Sequence, residues 1–151
     1  MNRKAFITWG DWSGHEPEQT SALFAKLLAE KGFAVERVDS LSPLADTEKM
    51  KTFDLIVPVW TMSSIAKEEL RGLLEAVRSG VGIGGWHGGM GDAFRQETEY
   101  QWMVGGQWVA HPGNAIDYTI EVVKNDPITA GIGTFAMHSE QYYMHTDPGN
   151  E

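Results

Sequence analysis

Apolar runs of strand length alternate along this chain with amphipathic stretches of helix length. Lys4 to Trp9 (KAFITW) is a compact apolar run, Phe33 to Val38 alternates, Asp54 to Trp60 (DLIVPVW) is almost continuously apolar, and Val81 to Trp86 is a fourth run. Near-continuous runs of this kind are strands covered on both faces of a parallel sheet. Pro58 has no N–H to give a ladder, which counts against full pairing of the third run. Between the first two runs, Leu23, Phe24, Leu27 and Leu28 recur at helical spacing, with Pro17 at the start and Gly32 in the place of a C-terminal cap. The spacing predicts a helix over 18–31. A second helix over 66–79 turns Leu70, Leu73, Leu74 and Val77 inward and is closed by Gly80. The segment SLSPLADTEKMKTF connects the second and third strands with room for a helical turn.

Strands alternating with helices in this way define an α/β fold, a three-layer, doubly wound and mostly parallel sheet with right-handed crossovers. Strands are expected at 4–9, 33–38, 54–60 and 81–86, with the first and third beside the fourth. Beyond residue 92 the pattern loosens. A short helix is expected over 97–103, GGQWVAHPGN reads as a glycine-rich loop with His111, Ala115 to Val123 alternates as a strand, and Asn125 to Ile128 is a turn. The last twenty residues show little periodicity. With 151 residues the chain is read as one domain over 1–151.

Ligands of doubly wound sheets bind beyond the carboxyl ends of the strands. Three loops leave those ends: one with Asp11, Trp12 and His15, one with Trp60, Thr61, Met62 and Ser63, and one with Trp86, His87, Gly88 and Gly89. The third belongs to VGIGGWHGGMGD, Val81 to Asp92, which reads as a strand turning sharply into a helix. Glycines on both sides allow positive φ and present His87 at the turn, where hydrolase elbows carry their nucleophile. If a helix follows, the N–H groups of Gly88 and Gly89 stand at its positive end beside the imidazole.

Charge and composition narrow the chemistry. Twelve Lys and Arg against twenty-one Asp and Glu give a net charge of −9, which disfavours nucleic acid as a partner. No run is long and apolar enough for a membrane span, and the N-terminus enters a strand with no leader pattern, so the expectation is a cytoplasmic protein. A homo-oligomer stays open. Cysteine is absent, which removes thiolate nucleophiles and thiolate metal sites.

Five histidines, at 15, 87, 111, 138 and 145, fall in loop-like stretches. His87, His15 and His138, with Glu140, are candidate acid and base groups, since imidazole exchanges protons near neutral pH. His15, His87 and His138 could equally hold a divalent metal such as zinc, although no compact ligand motif is present. His111 in HPGN suits either a turn or a substrate contact. Asp11 could cap the first helix or orient His15. Trp12, Trp60, Trp86 and Trp108 fall at strand ends or in loops, where flat rings suit sugar faces or, as plainly, core packing.

Five pieces, WGDWSGHEPEQT, GGWHGG, YQWMVGGQWVAHPG, NDPITAGI and HSEQYY, occur in one order that resembles the ThuA-like (trehalose utilisation) family. The resemblance implies a flavodoxin-like sheet similar to that of class I glutamine amidotransferases. It also implies a small-molecule sugar as partner, a trehalose-type disaccharide or a keto-sugar derived from one. His87 stands where the amidotransferase relatives place cysteine, so glutamine hydrolysis is not expected. Family members usually continue further, so a C-terminal part of the site could lie beyond this sequence. The expected substrate contacts are Asp11, Trp12, Trp60, Thr61, Trp86, Gly88, Gly89 and His111. Three readings follow: histidine-based proton transfer of an isomerase or lyase kind, a non-catalytic sugar-binding or regulatory module, and a metal-dependent hydrolase.

Overall fold

The computed structural model describes residues 3–149. Its elements are β1 (Arg3–Trp9), α1 (Pro17–Glu30), β2 (Phe33–Val38), α2 (Thr47–Met50), β3 (Leu55–Val59), α3 (Lys67–Arg78), β4 (Gly82–Ile83), α4 (Thr98–Val104), β5 (Gly106–Ala110), β6 (Ala115–Ile120), β7 (Phe135–Glu140) and β8 (Tyr143–Thr146). They fall into two compact units, residues 108–145 forming the second.

In the first unit the four strands form one parallel sheet in the order β2-β1-β3-β4. Ala5 lies opposite Val35 on one side and Leu55 on the other, so β1 is central. The period of two sorts its side chains onto two faces. Phe6 and Ile56, both fully buried, join Leu44, Met50, Leu73, Ala76 and Phe94 on the face covered by α2 and α3. Ile7, Val57 and Val59 face the other way, against Ala25 and Leu28 of α1. Each such buried branched or aromatic side chain contributes about 1.5–3 kcal/mol relative to exposure. The result is the expected three-layer α/β architecture, with the 2-1-3-4 strand order of flavodoxin-like sheets.

The helices keep their expected bounds within a residue. In α1, Pro17 opens the first turn and the left-handed Gly32 (φ 84°) follows the last. Ala25 and Leu28 of α1 pack on the sheet core and Pro17 and Ser21 are buried, while Leu23 and Leu27 stay exposed and Phe24 stacks on Trp86 at 4.1 Å. In α3, Leu73 and Leu74 are buried, and Leu70 and Val77 pack beside them.

Several expectations are corrected. The fourth strand is only Gly82–Ile83, because its continuation, Gly84-Gly85, offers no side chain to pack and turns away after Gly84 N donates to Ile56 O at 3.1 Å. It neighbours β3 but not β1, which lies beyond β3. Pro58 is accommodated by that early ending. Ile56 faces β4, and two residues on the proline nitrogen turns to the same side after β4 has stopped. No helix follows His87; a three-residue 3-10 turn, Met90–Asp92, does, and α4 starts only at Thr98.

The second unit contains strands where loops were expected. β6 pairs antiparallel with β7, from Ala115 opposite Glu140 to Ile120 opposite Phe135, and β5 pairs with β8. Only β6 was anticipated, and it ends at Ile120, three residues short of Val123. β7 and β8 are exposed along most of their length, so neither needs an apolar face and neither alternates.

Gly72 marks the closest packing in the first unit. A Cβ there would lie 1.9 Å from the Leu44 carbonyl oxygen, a backbone atom that cannot swing aside. In an open helix, Gly to Ala stabilises by about 1 kcal/mol. Here the clash decides the sign, and Gly72→Ala is expected to cost about 1–3 kcal/mol, read as a lowered urea midpoint.

Candidate functional site

The loops after β1 and β3 diverge where the strand order reverses, and the turn after β4 closes beside them. His15 ends a 3-10 turn, Ser13–His15, after β1. Its Nδ1 lies 2.9 Å from the hydroxyl of Thr61, which is buried. The His87 ring meets the His15 ring edge to face at 5.6 Å, and Trp12 meets it from another direction at 4.6 Å. Gly88 takes φ 58°, and a Cβ on it would stand 2.7 Å from His15 Nδ1. His15 is thus boxed by Thr61, Trp12, His87 and the backbone of Gly88.

The turn that carries His87 is closed by hydrogen bonds. Gly91 N donates to Trp86 O at 3.1 Å and Asp92 N to Gly89 O at 3.3 Å. Tyr100 donates its hydroxyl to Met90 O at 2.9 Å, and its burial pushes the phenol above its usual range. Met62 N donates to Asp92 O and Ser63 N to Ala93 O, both at 2.8 Å, which ties the Thr61 loop to the His87 turn. The buried Asp92 carboxylate takes two bonds from Arg95, at 2.5 and 2.8 Å. That hydrogen bond, with the carboxylate's charge, raises the Arg95 guanidinium further against its desolvation. Asp92, Arg95 and Tyr100 were not anticipated. The spacing Asp92-x-x-Arg95, one turn apart, was the one signal available.

The other expected residues divide. Trp60 donates its indole N–H to the Thr8 hydroxyl at 3.0 Å, and that hydroxyl donates to Ser40 O at 2.7 Å. Trp86 stacks on Phe24 beside the α1 core. Both rings are largely engaged in packing, whereas Trp12 is 46% exposed beside His15. Asp11 is exposed with φ 67°; α1 has no side-chain cap, and the His15 nitrogen is engaged by Thr61. The oxyanion site expected from Gly88 and Gly89 at a helix start is corrected. Three residues of 3-10 turn supply no helix dipole worth the name.

His111, His138 and Glu140 belong to the second unit, as does His145. His138 Nδ1 bonds Asp117 at 2.7 Å on an exposed strand pair. His111 Nε2 approaches Glu140 at 3.7 Å. Among the described residues no three His, Asp or Glu side chains are grouped to hold a metal ion. Nor is any helix among them long and apolar enough to cross a membrane.

A flavodoxin-like α/β unit with two imidazoles side by side at the carboxyl ends of its strands is the class that fold and geometry define. The sequence model of the ThuA family, described as trehalose utilisation, matches residues 4–151, and the chain belongs to that family. A crystal structure at 2.30 Å of a protein described as ThuA-like, from Bacteroides uniformis ATCC 8492, superposes with a TM-score of 0.72 at 23% identity. The match covers 93% of this chain and 60% of that one, and it concerns the fold. Among curated proteins no significant match is found.

Gly88→Ala forces a left-handed alanine and pushes its methyl into His15. It is expected to cost about 1–2 kcal/mol and to shift the His15 ring-nitrogen resonances. Thr61→Val should move the same resonances with no φ penalty, which separates loss of the hydrogen bond from backbone strain.

Proposed function

We propose that this protein acts on a trehalose-type disaccharide or a keto-sugar derived from one, by proton transfer between two imidazoles, as an isomerase or lyase. The observation that carries this reading is the His15 and His87 pair, 5.6 Å between ring centres, with His15 fixed through Nδ1 by Thr61. Thr61 leaves Nε2 as the working nitrogen of His15. A hydrogen α to a carbonyl is weakly acidic, and its removal needs a base on carbon together with a proton donor at the carbonyl oxygen.

Two neighbouring imidazoles can fill both parts. His87 takes the α-proton, the electron pair moves to the carbonyl oxygen, and that oxygen takes a proton from His15. Isomerisation follows when His87 returns the proton to the former carbonyl carbon and the hydroxyl on the α-carbon gives its own proton to His15. Elimination follows when the pair instead expels the glycosidic oxygen, which leaves with the proton that His15 gives to it and not to the carbonyl oxygen. With no helix dipole behind Gly88, the electrophile in this scheme is His15. Trp12, half exposed and edge-on to His15, offers a flat apolar face to a sugar ring.

The test follows exchange of the α-proton. Incubated in heavy water with a 3-keto disaccharide, the wild-type chain should catalyse deuterium incorporation seen by proton NMR. His87→Ala and His87→Gln should both abolish it, with stability changed by less than about 1 kcal/mol. Retained exchange in the glutamine variant would reduce His87 to a hydrogen-bonding residue, and severe destabilisation would make it structural. Trehalose, sucrose, glucosides and their 3-keto forms should be screened by thermal shift as well, since a ligand bound to the native state alone raises its stability. No shift with any of them would remove the sugar assignment, while a shift without exchange would favour a binding module.

A further inference from the structure

We infer that one exposed flank of α1 is the contact face of a symmetric dimer, packing antiparallel on the same flank of a second copy of this chain. The inference rests on α1 (Pro17–Glu30) and the residues that bound it, all within the first unit, and not on the proton-transfer reading.

The flank is apolar where a helix surface is ordinarily polar. Pro17 and Ser21 are buried and Ala25 and Leu28 pack on the sheet core, as the helical period requires. Leu23, Phe24 and Leu27 fall on the neighbouring flank and remain 54%, 36% and 43% exposed. Apolar side chains at i, i+1 and i+4 make a contiguous patch, whereas single exposed ones need no explanation. Phe24 is stacked on Trp86 at 4.1 Å, so one ring of the patch is already fixed before any partner arrives. Thr20 continues the flank toward the start of the helix. Its hydroxyl donates to Glu16 O at 2.9 Å, so covering it leaves no donor unmet.

Charge selects the occupant. Glu16 stands one turn before Thr20 and Lys31 one turn after Leu27, so the flank begins acidic and ends basic. Both residues are exposed, and neither side chain forms a salt bridge among the described residues. A twofold axis passing between Leu23 and Phe24 lays Leu23 on Phe24 of the second copy, Thr20 on Leu27 and Glu16 on Lys31. Every contact is then made twice, apolar at the centre and of opposite charge at both ends, which is what a self-complementary face requires. A parallel arrangement would set Glu16 against Glu16 and Lys31 against Lys31. Surface ion pairs add little affinity, but they fix register and direction. A helix of 14 residues is about 21 Å long, so the pair buries less than the about 800 Å² per partner of a standard interface, and a weak dimer is expected.

Sedimentation velocity of the full chain from micromolar to millimolar concentration should show a monomer–dimer equilibrium. Leu27→Asp, at an exposed position, should weaken it about tenfold or more with the helical circular dichroism unchanged. Glu16→Lys and Lys31→Glu should each weaken self-association severalfold, because each sets like charges together. An equimolar mixture of these two variants should restore it, since a mixed pair again joins opposite charges at both ends. Recovery on mixing also shows that both variants are folded. A monomer at every concentration would overturn the inference. So would a dimer that Leu27→Asp leaves unchanged, or charge variants whose mixture associates no better than either alone.

Discussion

Two backbone hydrogen bonds, from Met62 and Ser63 to the carbonyls of Asp92 and Ala93, hold the candidate site in register. Without them the Thr61 loop and the His87 turn would be independent surface segments, and His15 would have a partner on one side only. Met62 pays for this by taking φ 54°, a left-handed conformation that costs about 1–2 kcal/mol for a residue with a side chain. Two backbone hydrogen bonds at about 0.5–1.5 kcal/mol each are enough to offset it. The Asp92 and Arg95 pair and the Tyr100 hydroxyl fix the far side of the turn. Together they set where the turn places His87.

Apolar periodicity located the first unit because its strands are buried on both faces. β1, β2, β3, α1 and α3 fall within a residue of their expected bounds, each marked by a proline, a glycine or a change of period. Strand order was less legible, since periodicity records which face is buried and not which strand is adjacent. That is why β1 was expected beside β4. β7 and β8 escaped detection for the opposite reason. β7 carries Phe135, Met137 and Ser139 on one side and Ala136, His138 and Glu140 on the other, and most of both sides is exposed. With no face to bury, no alternation is selected.

The approach of His15, Thr61 and His87 was legible from a fold rule alone: loops leaving the carboxyl ends of parallel strands meet near the reversal of strand order. Their atomic relations were not. A hydroxyl 2.9 Å from Nδ1 depends on Gly88 having no Cβ, a detail of backbone φ that glycine in a sequence permits but does not require. His138 and Glu140, grouped by closeness in sequence, share one side of β7 but differ in their neighbours. Strand register sets His138 opposite Asp117 and leaves Glu140 without a cross-strand partner, so each carries a different contact.

Absence of a helix after His87 changes what kind of chemistry the turn suits. An elbow that captures an acyl group combines a nucleophile with the dipole of the helix it opens, and the dipole stabilises the oxyanion. Here the side chain at the turn is an imidazole, the following residues make a single 3-10 turn, and a second imidazole lies 5.6 Å away between ring centres. In the proposed scheme such a pair takes a proton at one ring while giving one at the other. That exchange requires the rings to keep their spacing through the reaction, and rigid backbone ties, unlike a mobile lid, meet the requirement without any ordering at the moment of proton transfer.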